Sequence, residues 1–252
     1  MEAVTLICGD CLDELPKLPS ASADMILCDL PYGITACKWD EIINLERLWG
    51  EYTRIIKPNS AIVLFGSQPF TGALVMSNPK LFKYEWIYQK IAGSNFAAAK
   101  YAPIKEHENI LVFGKGTVKY YPQMQERSEG GKKRLNTPYR TNSITSNESM
   151  ANIPRTVAGK TYDKELRYPG SVQKFNNRAA GDRGLHPTQK PQALCEYLIQ
   201  TYTEPGAVVL DNCMGSGTTG AASLKLGRRF IGIEKDPEYF ETAKARLGKE
   251  GE

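Results

Sequence analysis

The chain has 252 residues, of which 41% are hydrophobic and 24% are charged. These values fit one α/β domain with a sizeable core, or such a domain carrying an insertion, and they argue against wholesale disorder and membrane insertion. Its net charge of +4 is too small to indicate a partner, and because it shows no membrane-length apolar run and no secretory signal, we expect a cytoplasmic protein.

Short apolar runs alternate with helical patterns through the first part of the chain. Strands are predicted at Thr5–Cys8 and Met25–Cys28, and a helix is predicted over Leu45–Lys57, where the following Pro58 stops it. Three more runs, rich in branched and aromatic residues, predict strands at Ala61–Phe65, Glu85–Tyr88 and Asn109–Phe113.

The pattern then changes, because residues 114–185 are rich in Gly, Pro, Ser, Thr, Asn and basic side chains without a sustained period. We interpret them as an insertion. Lys115–Arg183 holds 14 Lys or Arg against 6 Asp or Glu, a balance of +8, which leaves −4 for the rest of the chain. Such a segment is typical of a polyanion-binding surface, although a solvated basic loop has the same composition. Its densest basic residues are Lys132, Lys133, Arg134 and Arg140.

Regular alternation resumes in the last third of the chain. The predicted elements are a helix over Gln192–Tyr202, a strand over Ala207–Asp211, a helix over Thr218–Leu226, a strand over Phe230–Glu234 and a helix after Pro237. Strands separated by helices predict an α/β fold with a doubly wound, mostly parallel sheet.

Six cysteines, Cys8, Cys11, Cys28, Cys37, Cys195 and Cys213, lie mostly in apolar or motif-like segments and not at the spacing of a disulfide framework. Cys8 and Cys11 have the spacing of half a zinc site. No second pair follows, and the chain has two histidines, so we predict no metal site.

A glycine-rich loop joins the strand that ends at Asp211 to the next helix. Gly215, Gly217 and Gly220 match the G-x-G-x-x-G pattern in its expected context, and Glu234 ends the following strand, where an acid can hold two ribose hydroxyls. The pattern predicts a nucleoside-containing cofactor. A carboxylate at Asp211 would repel a pyrophosphate but accept a hydrogen bond from the ammonium of S-adenosylmethionine. A nicotinamide dinucleotide stays an alternative, as does a simple turn-capping role for Asp211.

Asp29, Leu30, Pro31 and Tyr32 follow the second predicted strand directly. Because parallel strands end at one edge, these residues can meet the glycine loop across a crevice. The Asp29 carboxylate and a carbonyl near Leu30 or Pro31 could accept both N–H bonds of an aromatic amine and so direct its lone pair, while Tyr32 could stack on an extruded base. The segment also reads as an ordinary Asp-x-Pro turn.

Asp29-Leu30-Pro31-Tyr32 resembles the Asp-Pro-Pro-Tyr tetrad of the amino-methylating DNA methyltransferases, and residues 211–219 (DNCMGSGTT) resemble their Asp-Pro-Phe-x-Gly-x-Gly-Thr cofactor loop. The tetrad precedes the loop, as in the beta group of this family. The family's further segments are similar to residues 9–19 (GDCLDELPKLP), to three core-strand segments (IKPNSAIVLFGSQPF, KYEWIYQK, HENILVFGKG) and to residues 186–191 (HPTQKP). Two departures are Leu30 in place of a proline and Asn212-Cys213 in place of Pro-Phe.

The resemblance implies a Rossmann-like methyltransferase domain at 1–113 and 186–252, with target recognition in the insertion at 114–185. It implies direct methyl transfer from S-adenosylmethionine to an amine of double-stranded DNA, with no cysteine nucleophile. Asp rather than Ser at position 29 resembles the adenine-N6 group. The alternatives are an N4-cytosine methyltransferase, a nicotinamide-dependent oxidoreductase and a catalytically silent DNA-binding relative. A homodimer and a bacterial or phage origin are left open.

The site residues predicted in this way fall into three groups. The catalytic residues are Asp29, Leu30, Pro31 and Tyr32; the cofactor-binding residues are Asp10, Cys11, His186, Thr188, Lys190, Asp211, Gly215, Gly217, Thr218, Thr219 and Glu234; the DNA-binding residues are Lys132, Lys133, Arg134 and Arg140.

Overall fold

The computed structural model describes residues 3–33, 41–136, 165–177 and 189–250. They divide into two compact units. The larger unit takes the chain up to Tyr121 and from Gly170 onward, and the smaller unit is Pro122–Pro169. No helix among the described residues is long and apolar enough to cross a membrane.

The larger unit is built on a sheet of eight described strands. They are β1 (Val4–Cys8), β2 (Ala23–Cys28), β3 (Ile56–Gly66), β4 (Phe82–Ser94), β5 (Lys105–Phe113), β8 (Val172–Phe175), β9 (Val208–Asp211) and β10 (Arg229–Glu234). Their order across the sheet is β1-β10-β9-β2-β3-β5-β4-β8. Neighbours are parallel from β1 to β3 and again between β4 and β8, whereas β5 runs antiparallel to both β3 and β4. The predicted mostly parallel sheet is confirmed.

Helices cover both faces of this sheet, as a doubly wound fold requires. Those of the larger unit are α1 (Cys11–Glu14), α2 (Leu45–Ile55), α3 (Phe70–Ser77), α5 (Gln192–Tyr202), α6 (Thr218–Lys225) and α7 (Pro237–Glu250). Ile26 and Cys28 of β2 pack in one core cluster with residues of α2 and α3, while Met25 and Leu27 pack in another with residues of α5. This alternation explains why every residue from Met25 to Cys28 is apolar: both faces of the strand are buried.

Helix α2 shows how local sequence sets an element's limits. The Asn44 side chain accepts a hydrogen bond from the Arg47 N–H at 3.0 Å and caps the amino end, and the helix buries Trp49 and Tyr52. It ends at Ile55, two residues before the predicted end, because Ile56 is already extended and pairs with Ala23 of β2.

The range predicted as an insertion contains two different structures. Val172–Phe175 forms the edge strand β8 of the large sheet and pairs with β4. The smaller unit holds a two-stranded antiparallel ribbon of β6 (Gln125–Glu126) and β7 (Leu166–Arg167), together with helix α4 (Glu129–Asn136). The assignment of target recognition to 114–185 stays a prediction.

Candidate active site

The sheet order brings three acidic residues to one edge. Strand β9 lies between β10 and β2, so the chain leaves these strands at Glu234, Asp211 and Asp29 side by side. A cavity of about 510 Å³ opens there, and all three residues line it. Carboxyl ends of parallel strands are where ligands bind in open α/β sheets, so the fold itself marks this cavity as the candidate site.

Most of the predicted site residues meet in this cavity. Its lining includes Asp10, Cys11, Asp29, Leu30, Pro31, Tyr32, Lys190, Asp211, Gly215, Thr218, Thr219 and Glu234. Gly217 is absent from the lining and instead caps the amino end of α6. Lys132 and Lys133 belong to the smaller unit. His186, Thr188, Arg140 and the side chain of Arg134 lie outside the described residues.

The Asp29 carboxylate is held by two donors. Its Oδ1 accepts a hydrogen bond from the Tyr32 hydroxyl at 2.7 Å, and its Oδ2 accepts one from the Lys190 ammonium. Burial and the nearby Asp29 charge raise the pKa of Tyr32, so its hydroxyl stays a donor. The Tyr32 ring stacks on Phe70, with centroids 5.1 Å apart. Leu30 is buried in the core, so packing can hold the turn where the family has a proline.

Lys190 belongs to a buried cluster of alternating charge. Besides Asp29 it approaches Glu108 Oε2 at 3.2 Å, and Lys90 contacts the other oxygen of Glu108 at 2.5 Å. Burial opposes ionisation of Glu108, but the two lysines outweigh it and hold the pKa of Glu108 at about 2. Burial likewise opposes the charge on Lys190, yet the Asp29 and Glu108 carboxylates raise its pKa above the usual value. Lys190 is therefore a fixed cation that orients Asp29 and cannot act as a base.

Sequence reasoning missed Glu108 and Lys90. Glu108 stands one residue before a predicted strand, and it acquires its role only because Tyr88 of β4 lies opposite it in the sheet, which places Lys90 nearby. Lys190 was identified, but as a cofactor residue; in the structure its ammonium contacts two carboxylates.

The glycine loop is tied to the end of β10 by Glu234. One carboxylate oxygen accepts the Gly215 N–H at 2.8 Å, and the other accepts the Asp236 N–H at 2.9 Å. Gly217 adopts φ +78°, and a Cβ there would lie 3.2 Å from that of Ala243. Glycine is therefore required at this turn for both its conformation and its close approach to α7.

Asp211 is the most buried acid of the loop. Its Oδ1 accepts the Cys213 N–H at 3.1 Å. Asp211 therefore caps the turn, which is the alternative role predicted for it from the sequence. Burial raises its pKa to about 6, against the opposing effect of a hydrogen bond from Thr219. The side chain is thus poised to gain or lose a proton close to neutrality.

The polar groups of this end of the cavity fit an amino-acid nucleoside better than a dinucleotide. This part of the lining contains three acids, Asp10, Asp211 and Glu234, and one lysine, Lys235, so its charge is negative. The Gly215 amide that would meet a phosphate is already bonded to Glu234. Gln189 has a buried Nε2 without a hydrogen-bond partner in the described chain, while its Oε1 accepts from Ser216 at 3.2 Å. An unsatisfied amide donor suits a carboxylate, and the acids suit an ammonium and hydroxyls.

Two further details concern the predicted sites. Asp10 lines the cavity, but its Oδ1 also caps α1 by accepting the Leu12 N–H at 2.8 Å. Asn212, which replaces the family's proline, is buried and accepts a hydrogen bond from the Tyr52 hydroxyl at 2.5 Å. This pair ties the loop to α2. Among the described residues, no cluster of His, Cys, Asp or Glu could hold a metal ion.

Comparison with known proteins places these features in a family. A family model described as DNA methylase, covering N6 and N4 methyltransferases, matches residues 23–245. The DNA adenine methyltransferase YhdJ of Escherichia coli (strain K12) is 30% identical over 263 residues, which cover 98% of this chain and 83% of that protein. The crystal structure of the M1.HpyAVI-SAM complex matches with a TM-score of 0.65 at 24% identity, covering 97% of this chain and 98% of the other. The PvuII DNA methyltransferase (cytosine-N4-specific) matches with a TM-score of 0.67 at 16% identity, covering 97% and 88%.

Proposed function

The chain belongs to the N6/N4 DNA methylase family, and we propose that it methylates N6 of adenine in double-stranded DNA with S-adenosylmethionine as the donor. The observation that carries this proposal is the placement of Asp29, with Tyr32 and Lys190 fixed on its two oxygens, in the same cavity as the glycine loop and its acids. Asp at position 29 and the adenine activity named for YhdJ both favour adenine over cytosine.

Asp29 has the central role in the proposed mechanism. Its carboxylate accepts an N–H of the target amine, and the carbonyl of Leu30 or Pro31 accepts the other, so that the nitrogen lone pair points toward the incoming methyl group. Lys190 and the Tyr32 hydroxyl hold the carboxylate in a fixed orientation. Tyr32, supported by Phe70, stacks on the extruded base.

The cofactor would be held mainly by the glycine loop and the acids around it. S-adenosylmethionine supplies an electrophilic methyl group on a sulfonium centre. We propose that Glu234 binds its ribose hydroxyls, Asp211 its ammonium and Gln189 its carboxylate, with Asp10 near the adenine. Cys11, Thr218 and Thr219 complete the surface.

A direct assay tests the proposal. Unmethylated DNA is incubated with the protein and labelled S-adenosylmethionine, and the modified nucleoside is identified by mass spectrometry. We expect N6-methyladenine. N4-methylcytosine would instead establish the cytosine alternative, and the absence of any methylated base would overturn both. In a thermal shift assay the cofactor should raise the melting temperature, whereas NADH should not.

The pKa of Asp211 predicts how cofactor affinity depends on pH. Since burial raises this pKa to about 6, lowering the pH through 6 neutralises the carboxylate before the ammonium can bind it. The dissociation constant of S-adenosylmethionine should therefore increase as the pH falls from 7 to 5, approaching about tenfold per unit below pH 6. Calorimetry measures this profile. Asp211→Asn should bind weakly throughout with a flatter profile, and a flat wild-type profile would contradict the assignment.

The smaller unit and its flanks are our candidate for target recognition, because the catalytic cavity must accept one extruded base while other side chains read the duplex. In this unit, Lys132 forms ion pairs with Glu165 and, at 3.6 Å, with Glu129. DNA phosphates would have to compete with these carboxylates for Lys132, and the neighbouring Lys133 is exposed. Arg134 and Arg140 stay candidates for contacts with guanine edges.

Replacing Lys132 and Lys133 together with Ala should weaken DNA binding about equally on all sequences. It should also flatten the dependence of log K on log salt by roughly one to two units, as phosphate contacts would. A titration at several salt concentrations measures both. Lys17→Ala with Lys244→Ala is a matched control, because these exposed lysines also pair with acids three residues away. A double variant that binds like the control would assign recognition elsewhere.

A further inference from the structure

The end of β4 and its connection to β5 expose several large apolar side chains to solvent. Ile91, Phe96, Tyr101 and Ile104 are all exposed within fourteen residues, with Phe96 at 58% and Tyr101 at 84% of their full accessibility. Small residues surround them, including three successive alanines at 97–99, of which Ala97 and Ala98 close a 3₁₀ turn that starts at Phe96. The tip, residues 95–104, is therefore mostly apolar, and the rings of Phe96 and Tyr101 are exposed on it.

The two arms below this tip are fixed to the catalytic edge of the sheet. Ser94 pairs with Lys105 across the hairpin, and both residues line the cavity that contains Asp29. The Lys105 ammonium donates to the hydroxyl of Ser67, directly after β3. The Asn177 side chain bonds to the N–H and the C=O of Ala92, at 3.1 and 2.9 Å. The rings are thus carried on a braced stem whose base borders the candidate active site.

The charge of the hairpin suits a polyanion. Residues 95–104 contain Lys100 and no Asp or Glu, while at the base Lys90 is paired with Glu108 and Lys105 donates to Ser67. Lys100 lies at the tip, with its ammonium 6.0 Å from the Tyr101 ring centroid. Exposed apolar rings beside lysines match the combination of base stacking and phosphate attraction by which proteins hold unpaired nucleic acid.

We propose that this hairpin enters the DNA duplex beside the target, where Phe96 and Tyr101 fill the gap left by the extruded base. The inference rests on the proposed function, because an amine inside a duplex is reached only after its base leaves the stack. The orphaned partner strand and the flanking pairs then expose apolar faces, and wedges of apolar side chains are a common way to cover them. Lys100 would contact an adjacent phosphate.

The test compares two substrates that differ only in the cost of extrusion. One is a duplex that carries the site found by mapping wild-type methylation; in the other, a mismatched base faces the target. Phe96→Ala combined with Tyr101→Ala should lower kcat/KM on the matched duplex by about tenfold or more. The mismatch should restore most of this loss, because an unpaired base is easier to extrude. Met76→Ala, which removes a side chain that is 73% exposed on α3, is the matched control and should leave both rates unchanged.

Each remaining outcome decides against the wedge. An equal loss on both substrates would mean that the rings serve folding or cofactor binding, and unchanged rates would mean that they serve neither. If the double variant dissociates a wild-type dimer in light scattering while its methylation is intact, the patch is an interface between two copies of this chain. Failure of the wild type to methylate DNA would instead refute the proposed function, which separates the two hypotheses.

Discussion

Asp29→Asn is expected to reduce methyl transfer by at least about a thousandfold while leaving the affinity for S-adenosylmethionine within about threefold of wild type. An amide of the same shape cannot supply the charge that polarises the target amine, and preorganised charge of this kind is worth about two to three orders of magnitude in rate per group. Single-turnover assays measure the transfer step, and calorimetry measures the affinity.

The control for this substitution is Glu108→Gln. Both variants take a carboxylate away from Lys190, but Glu108 approaches it at 3.2 Å and belongs to the buried charged cluster, not to the predicted tetrad. Glu108→Gln therefore reports how much activity is lost when the buried lysine is left with one carboxylate. We expect a clearly smaller loss than for Asp29→Asn. Equal losses would show that Asp29 acts only through its ion pair and does not accept the amine.

Glu234→Ala is expected to raise the dissociation constant of S-adenosylmethionine at least tenfold. The change removes a buried, charged acceptor for the ribose, and it also frees the Gly215 and Asp236 amides that fix the loop. Equilibrium calorimetry tests the affinity, while kcat at saturating cofactor should change much less, because Glu234 is remote from the transferred group in the proposed binding mode.

Two further variants, Glu234→Gln and Glu238→Ala, serve as controls for this prediction. The glutamine keeps one acceptor oxygen and should be intermediate, whereas Glu238 is exposed in the first turn of α7 and its loss should leave binding unchanged. If neither Glu234→Ala nor Asp211→Ala changes the affinity, the glycine loop does not belong to the cofactor site.

The strands and helices at both ends of the chain were predictable because burial imposes a period on their sequences. Helix α3 was not, since its segment FTGALVMS is apolar on nearly every side and shows no polar stripe. Strand β8 was missed for a different reason. Its four residues pair with β4 about 85 positions earlier, and no local pattern carries that information.

The candidate site also contains residues that the sequence predicted and residues that it did not. Asp29, Asp211 and Glu234 were found because each stands at the end of a predicted strand, where the fold dictates proximity. The ion pairs of Lys190 depend on which residues of β4 and β5 face each other, and the hairpin's exposed rings depend on tertiary packing that leaves them uncovered. Strand register and tertiary packing both depend on residues far apart in the chain, so composition and spacing do not predict them.

The central position of β2 also bears on how the chain folds during its synthesis. Strand β9, its neighbour on one side, leaves the ribosome about 180 residues later, a delay of roughly 10 to 40 s at ordinary elongation rates. Until then β2 has an open edge along which Met25–Cys28 are all apolar, the type of edge that joins other chains in aggregates. The nascent amino-terminal half is therefore open to aggregation during synthesis, and Asp29 has no glycine loop beside it until both halves of the sheet have been made.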